Sequence, residues 1–109
     1  MITIPQELVP DINQALELSL PETTSATELK EKLTVMINDL INHDFEKLVF
    51  YLYRIDVDEA RMRALLAHKD GEGAAGLIAE LVIERQLQKI KARTEFKQKA
   101  TEENGEEKW

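Results

Sequence analysis

The segment from Ala74 to about Ala100 has the longest uninterrupted helical pattern in the chain, and it limits the fold more than any other feature. At 1.5 Å per residue it predicts a helix about 40 Å long, whereas no other predicted helix exceeds about 26 Å. On a helical wheel the first half of this segment has one apolar face: Ala74, Leu77, Ile78, Leu81 and Val82. A second stripe lies on the opposite face: Ile83, Leu87 and Ile90. The last turns return to the first face: Ala92, Phe96 and Ala100.

A helix that packs on one side of a bundle needs one apolar stripe, so the second stripe requires a cover. One candidate cover is the N-terminal segment of the same chain: Ile2, Ile4, Leu8 and Val9. The other is a second subunit, whose acidic groups, or those of another partner, would meet the basic residues nearby. The interface predicted in that case consists of Ile83, Leu87, Ile90, Lys91, Arg93 and Lys97. The sequence leaves both covers open.

The rest of the chain favours an all-α fold. Four principal helices are predicted, at about 26–42, 44–54, 57–69 and 74–100, in a single domain that spans residues 1–100. Ser25 followed by Glu28 is a capping-box pattern that opens the first of them. All three prolines lie in the N-terminal segment 1–25, where a short helix from Pro10 through Leu18 is expected.

The helix at 44–54 is apolar on most sides, which predicts a central position with core aromatics: Phe45, Phe50, Tyr51 and Tyr53. Asn42 or His43 is its expected N-cap, and a buried strand is the alternative. Asp56 is expected to cap the next helix. Three small residues there would admit a close neighbour: Ala60, Ala64 and Ala67.

Charge is distributed unevenly along the chain. Residues 1–84 carry 16 acids and 7 bases, residues 85–100 carry six bases and one acid, and residues 101–109 carry four acids and one base. The net charge of −7 argues against unspecific binding to nucleic acid or anionic lipid. The basic segment supports either a docking surface for an acidic partner or ordinary pairing with the helix dipole. Residues 101–109 are predicted to be a disordered acidic tail.

Two cations in the basic segment, Arg85 and Lys89, fall on the first face of the last helix. We expect their stems to cover apolar surface while their charged ends reach solvent or a carboxylate. The alternative is a buried Arg85 paired with Asp56 or Asp58.

Catalytic and cofactor signatures are missing from the sequence. There is no cysteine, and the two histidines, His43 and His68, belong to no metal-binding motif. The carboxylates of Glu80 and Glu84 lack the Glu-x-x-His partners of a di-iron bundle, and the glycines at 71–76 form a turn without phosphate-loop spacing. We therefore predict no catalytic residue, metal or cofactor. No apolar run approaches a membrane span and no secretory leader is recognisable, so we expect a cytoplasmic protein.

Two segments, YLYRIDVDE at 51–59 and IAELVIERQL at 78–87, resemble small uncharacterised helical proteins of similar length from bacterial genomes. The resemblance spans about residues 40–90 and carries no catalytic motif. It implies a bacterial cytosolic protein and no activity that can be transferred.

These observations predict a non-enzymatic protein-interaction or oligomerisation module, such as a homodimer, that uses its C-terminal helix. The alternative is a nucleic-acid-associated regulator that uses the basic residues 85–99. A small enzyme or metal protein is the third class, and it has the least support in the sequence.

Overall fold

The computed structural model describes residues 5–67 and 73–106, and within residues 97–106 the backbone alone. Five helices occupy the described chain, which contains no strand. Their bounds are α1 Leu8–Leu16, α2 Ala26–His43, α3 Phe45–Ile55, α4 Glu59–Ala67 and α5 Ala74–Glu106. The predicted all-α fold is confirmed, and the strand alternative for 48–53 is wrong because this segment belongs to α3.

Local capping explains where several helices begin. The Ser25 Oγ accepts a hydrogen bond from the Glu28 backbone N–H at 3.2 Å and donates one to the Glu28 carboxylate at 3.1 Å, so the predicted capping box is present. The predicted caps of the next two helices are wrong by two residues or fewer. Asp44 caps α3 by accepting from the Lys47 N–H, and Asp58 caps α4 by accepting from the Ala60 N–H.

Asp56, predicted to open a helix, instead closes one. It has a left-handed backbone with φ 64°, and its N–H donates to the carbonyl of Tyr53 while the Val57 N–H donates to that of Leu52. This pair of hydrogen bonds is a Schellman motif, which ends α3. The buried side chains of Val57 and Leu52 accompany it, as is usual for this motif.

The core lies where α5 crosses the other helices, and the most extensive contact of α5 is with α2. α2 contributes one apolar face to the core, on which Leu29, Leu33 and Ile37 are fully buried. The core face of α5 is buried as well, and most of it consists of Ala75, Ile78, Ala79, Leu81 and Val82. Two residues assigned to that face are exposed, Leu77 by 49% and Phe96 by 75%. Phe96 is exposed because it lies beyond the end of the core.

The prediction that α3 is a central helix is wrong. Its buried face is the single stripe Leu48, Tyr51, Leu52 and Ile55, whose spacing is that of an ordinary amphipathic helix. Phe50 and Tyr53 are more than half exposed on the other side. In α4 the buried Met62 and the partly buried Leu65 and Leu66 contact the core, and the three alanines expected to admit a neighbour are exposed.

The C-terminal helix is longer than predicted. Its 33 residues correspond to about 50 Å, and it continues through residues 101–106, which were predicted to be disordered. Extending an existing helix fixes one residue for each hydrogen bond gained, so a polar segment can continue it at little cost. Residues 107–109 and His68 lie outside the described residues.

Candidate functional site

An apolar groove lies between the start of α2 and the middle of α5. Ala26, Ile83 and Leu87 supply its apolar lining, and its volume is about 460 Å³. Ile83 and Leu87 pack against the core only in part, so their outer surfaces remain in the groove. We call this surface the α2–α5 groove. Five polar side chains complete its lining: Lys30, Glu80, Glu84, Gln88 and Lys91.

Ion pairs connect the edge of the α2–α5 groove to the neighbouring helices. The Lys30 Nζ lies 2.6 Å from a carboxylate oxygen of Glu80, which joins α2 to α5. The Arg61 guanidinium lies 3.1 Å from Glu84, which joins α4 to α5 and raises the pKa of Arg61. These side chains are about half exposed, so solvent screens both pairs and they add little to stability. Their main effect is to hold positive and negative side chains in alternation around the apolar surface of the groove.

The structure brings together three of the six predicted interface residues: Ile83, Leu87 and Lys91. The other three lie elsewhere. Ile90 is 5% exposed and belongs to the core, Arg93 pairs with Asp11 of α1, and the side chain of Lys97 lies outside the described residues.

The N-terminal segment was the other expected cover for the second stripe. Its described residues Leu8 and Val9 are buried in the core, and no residue of α1 lines the α2–α5 groove. Ile2 and Ile4 lie outside the described residues. Within the described chain, the groove that Ile83 and Leu87 line is bounded by Ala26 and Lys30 of α2.

A second concave surface, with a volume of about 540 Å³, is lined by α1, α3 and another face of α5, and it meets the α2–α5 groove at Gln88. We call it the cationic cleft, because four basic side chains line it beside one carboxylate, Asp11. The basic residues are Arg54 of α3 and Arg85, Lys89 and Arg93 of α5.

Two of the arginines in the cationic cleft have partners in the same chain. The Arg85 Nε donates to the Asp56 carbonyl at 2.8 Å, and its Nη2 lies 3.3 Å from the Asp56 carboxylate. Arg93 donates to the carboxylate of Asp11 at 2.5 Å. The charged end of Arg85 reaches the Asp56 carboxylate while 31% of its side chain stays exposed, as expected, and the alternative of a buried Arg85 is wrong.

Lys89 lies between these two arginines on α5. Among the described residues it makes no ion pair, and burial followed by repulsion from Arg85 lowers its pKa below the ordinary value. Beside it, Gln86 is only 5% exposed, although its side chain is polar. The cationic cleft therefore places a partly desolvated ammonium next to a buried amide.

Sequence reasoning missed the cationic cleft as a site, although one signal for it was present. Arg85, Lys89 and Arg93 are spaced four residues apart, which puts like charges in a row on one helix face. Such pairs weaken a helix, so the row indicated that other elements supply compensating groups. The carboxylates that do so, Asp11 and Asp56, come from distant parts of the chain.

The described residues contain no group of three or more histidine or acidic side chains placed to hold a metal ion. His43 lies 3.6 Å from Asp39 on the exposed surface of α2, and Glu80 and Glu84 each pair with a base.

No helix among the described residues is both long and apolar enough to cross a bilayer. No protein-family model, curated protein or solved structure matches the chain, so its resemblance to small bacterial proteins stays a prediction.

Proposed function

We propose that this protein is a non-enzymatic interaction module that forms a homodimer through the α2–α5 groove. The observation that carries the proposal is the open apolar surface of Ile83 and Leu87, which no described residue covers completely. Apolar surface rimmed by polar residues is typical of protein interaction sites.

The edge of the groove favours a second copy of the chain as the occupant. It carries two cations, Lys30 and Lys91, and two anions, Glu80 and Glu84. In a two-fold dimer the same patch meets itself, so a patch with both signs of charge can place each cation of one copy near an anion of the other. An acidic partner of a different kind would be repelled by the two glutamates.

Residues 91–96 of α5 extend the surface of the α2–α5 groove. Every described side chain from Lys91 to Phe96 is exposed, so this part of the helix has little packing within its own chain. Helices in proteins draw most of their stability from tertiary packing. A second copy seated in the α2–α5 groove would continue along this segment and supply that packing.

Sedimentation equilibrium of the full chain tests the proposal, because a dimer has twice the 12.5 kDa mass of the monomer. We expect Leu87→Ser to raise the dissociation constant about tenfold. Leu87 is already partly buried in the monomer, so each copy loses about half of the roughly 1.5 kcal/mol that a buried leucine contributes, and the dimer contains two copies. The matched control is Leu77→Ser, which removes a half-exposed leucine of the same helix outside the groove. It should leave the dissociation constant unchanged.

A second variant keeps the test valid if Leu87→Ser disturbs folding. Lys91 has a side chain that is 79% exposed, so Lys91→Glu reverses a charge at the edge of the groove without altering the core. We expect it to weaken dimerisation, more strongly at low salt than at high salt. A wild-type chain that stays monomeric at millimolar concentration, or equal effects of Leu87→Ser and Leu77→Ser, would refute the proposal.

A further inference from the structure

The cationic cleft has the charge and the polar groups of an anion site. We propose that it binds a small phosphate-bearing molecule, held by Lys89, Arg54 and the amide of Gln86. This inference does not rest on the proposed dimer, because the cationic cleft and the α2–α5 groove have different lining residues apart from Gln88, where the two surfaces meet.

The cationic cleft has an excess of positive charge. The protein has a net charge of −7, yet four cations and one carboxylate line this cleft. Asp56 and Asp11 pair with Arg85 and Arg93 and fix their positions. Within residues 5–67 and 73–96 no carboxylate pairs with the other two cations, which are Lys89 and Arg54. Two positive charges therefore face the cleft without a direct ion pair to the described chain.

The row of three cations on α5 also favours a bound anion. Arg85, Lys89 and Arg93 are neighbours on the helix surface, where like charges four residues apart repel. Lys89 is also partly withdrawn from solvent, which disfavours its charged form. A bound anion would remove both costs at once, since it would screen the three cations and replace lost hydration.

The buried amide of Gln86 supports an anion site independently of the charge balance. The residue is 95% buried, lines the cleft and makes no hydrogen bond to the described chain. Every fully buried side-chain nitrogen or oxygen among the described residues has a hydrogen-bond partner, so the unpaired amide of Gln86 must keep a small exposed area. Because Gln86 lines the cleft, a ligand bound there can reach this area. Buried polar groups are normally hydrogen-bonded. An anion in the cleft would accept a hydrogen bond from this amide.

The number and placement of the donors favour phosphate over carboxylate. Two uncompensated cations match the charge of a phosphate dianion, whereas a single carboxylate would neutralise one of them. The tetrahedral oxygens of a phosphate can also accept from an ammonium, a guanidinium and an amide that come from different directions. A volume of about 540 Å³ leaves room for the organic group that carries the phosphate.

Two probes of similar shape separate these classes: phenyl phosphate, a dianion at pH 8, and benzoate, a monoanion. Backbone amide shifts of the full chain, measured by NMR at 0.15 M salt, report where and how tightly each one binds. We expect saturable shifts around residues 85–93 with phenyl phosphate, and a dissociation constant about tenfold higher for benzoate. Benzoate binding as tightly as phenyl phosphate would overturn the assignment to phosphate.

Matched variants separate the cleft from general surface charge. Lys89→Met keeps the aliphatic stem and removes the charge, and we expect it to weaken phenyl phosphate binding about tenfold. Lys32→Met makes the same change on the exposed surface of α2, outside both the cleft and the α2–α5 groove, and should alter binding less than about twofold. Arg54→Gln changes an exposed residue of α3 and should weaken binding as Lys89→Met does. No saturable binding, or equal losses in Lys89→Met and Lys32→Met, would overturn the proposal.

Discussion

The left-handed residue at the end of α3 gives a sharp test of how this bundle is held together. Asp56 has φ 64° and ψ 49°, a conformation that glycine adopts freely and that asparagine and aspartate tolerate. Its carboxylate also contacts Arg85 at 3.3 Å, while its carbonyl accepts a second hydrogen bond from the same guanidinium. Replacing Asp56 by alanine, asparagine or glycine separates the backbone effect from the charge effect.

The structure sets the size of each effect. The Asp56 side chain is 80% exposed, so loss of its ion pair costs about 0.5 kcal/mol or less in every variant. Alanine in the left-handed region costs about 1 kcal/mol more than asparagine or glycine. We therefore expect Asp56→Ala to lower the free energy of unfolding by about 1.5 kcal/mol. Asp56→Asn and Asp56→Gly should stay within about 0.5 kcal/mol of the wild type.

Urea denaturation followed by circular dichroism at 222 nm measures these differences. The variants must be compared at one protein concentration, because dimerisation would add to the apparent stability. With a slope of about 1.5 kcal/mol per molar urea, Asp56→Ala should shift the midpoint down by about 1 M. An Asp56→Ala variant as stable as Asp56→Gly would refute the backbone argument, and an Asp56→Asn variant as unstable as Asp56→Ala would assign the effect to the ion pair.

Two further predictions concern single polar side chains. Burial, followed by the 2.7 Å hydrogen bond to Glu17, raises the pKa of the Tyr51 phenol above 10.0. The unfolded chain then loses this proton first, so the stabilisation is present below pH 10 and disappears as pH rises through the folded-state pKa. Tyr51→Phe should cost about 1–2 kcal/mol at pH 8 and less at pH 11, as measured by urea unfolding; an equal cost at both pH values would contradict this reasoning. Lys89→Met should raise the free energy of unfolding by about 0.5–1 kcal/mol by removing two like-charge pairs, whereas a loss of stability would show that the charge is not opposed by its neighbours.

Local signals in the sequence predicted the helices and part of the α2–α5 groove. The Ser25 capping box, the apolar stripe of α2 and the second stripe of α5 all depend on residues within one or two helical turns. Leu87 and Ile83 could be recognised as a surface needing a cover because the helix period alone puts them on one face. The local signals were weaker for α3, where apolar residues on several sides concealed which stripe is buried.

Tertiary structure alone decided which polar groups meet. Asp56 and Arg85 are 29 residues apart in sequence, and Asp11 and Arg93 are 82 apart. A helical wheel gives the direction of a side chain relative to its own axis, whereas the partner depends on how α1 and α3 lie against α5. The sequence by itself therefore determined an all-α chain with a two-sided C-terminal helix. The packing of that helix determined that its basic row would form one wall of a cleft instead of an ordinary solvated face.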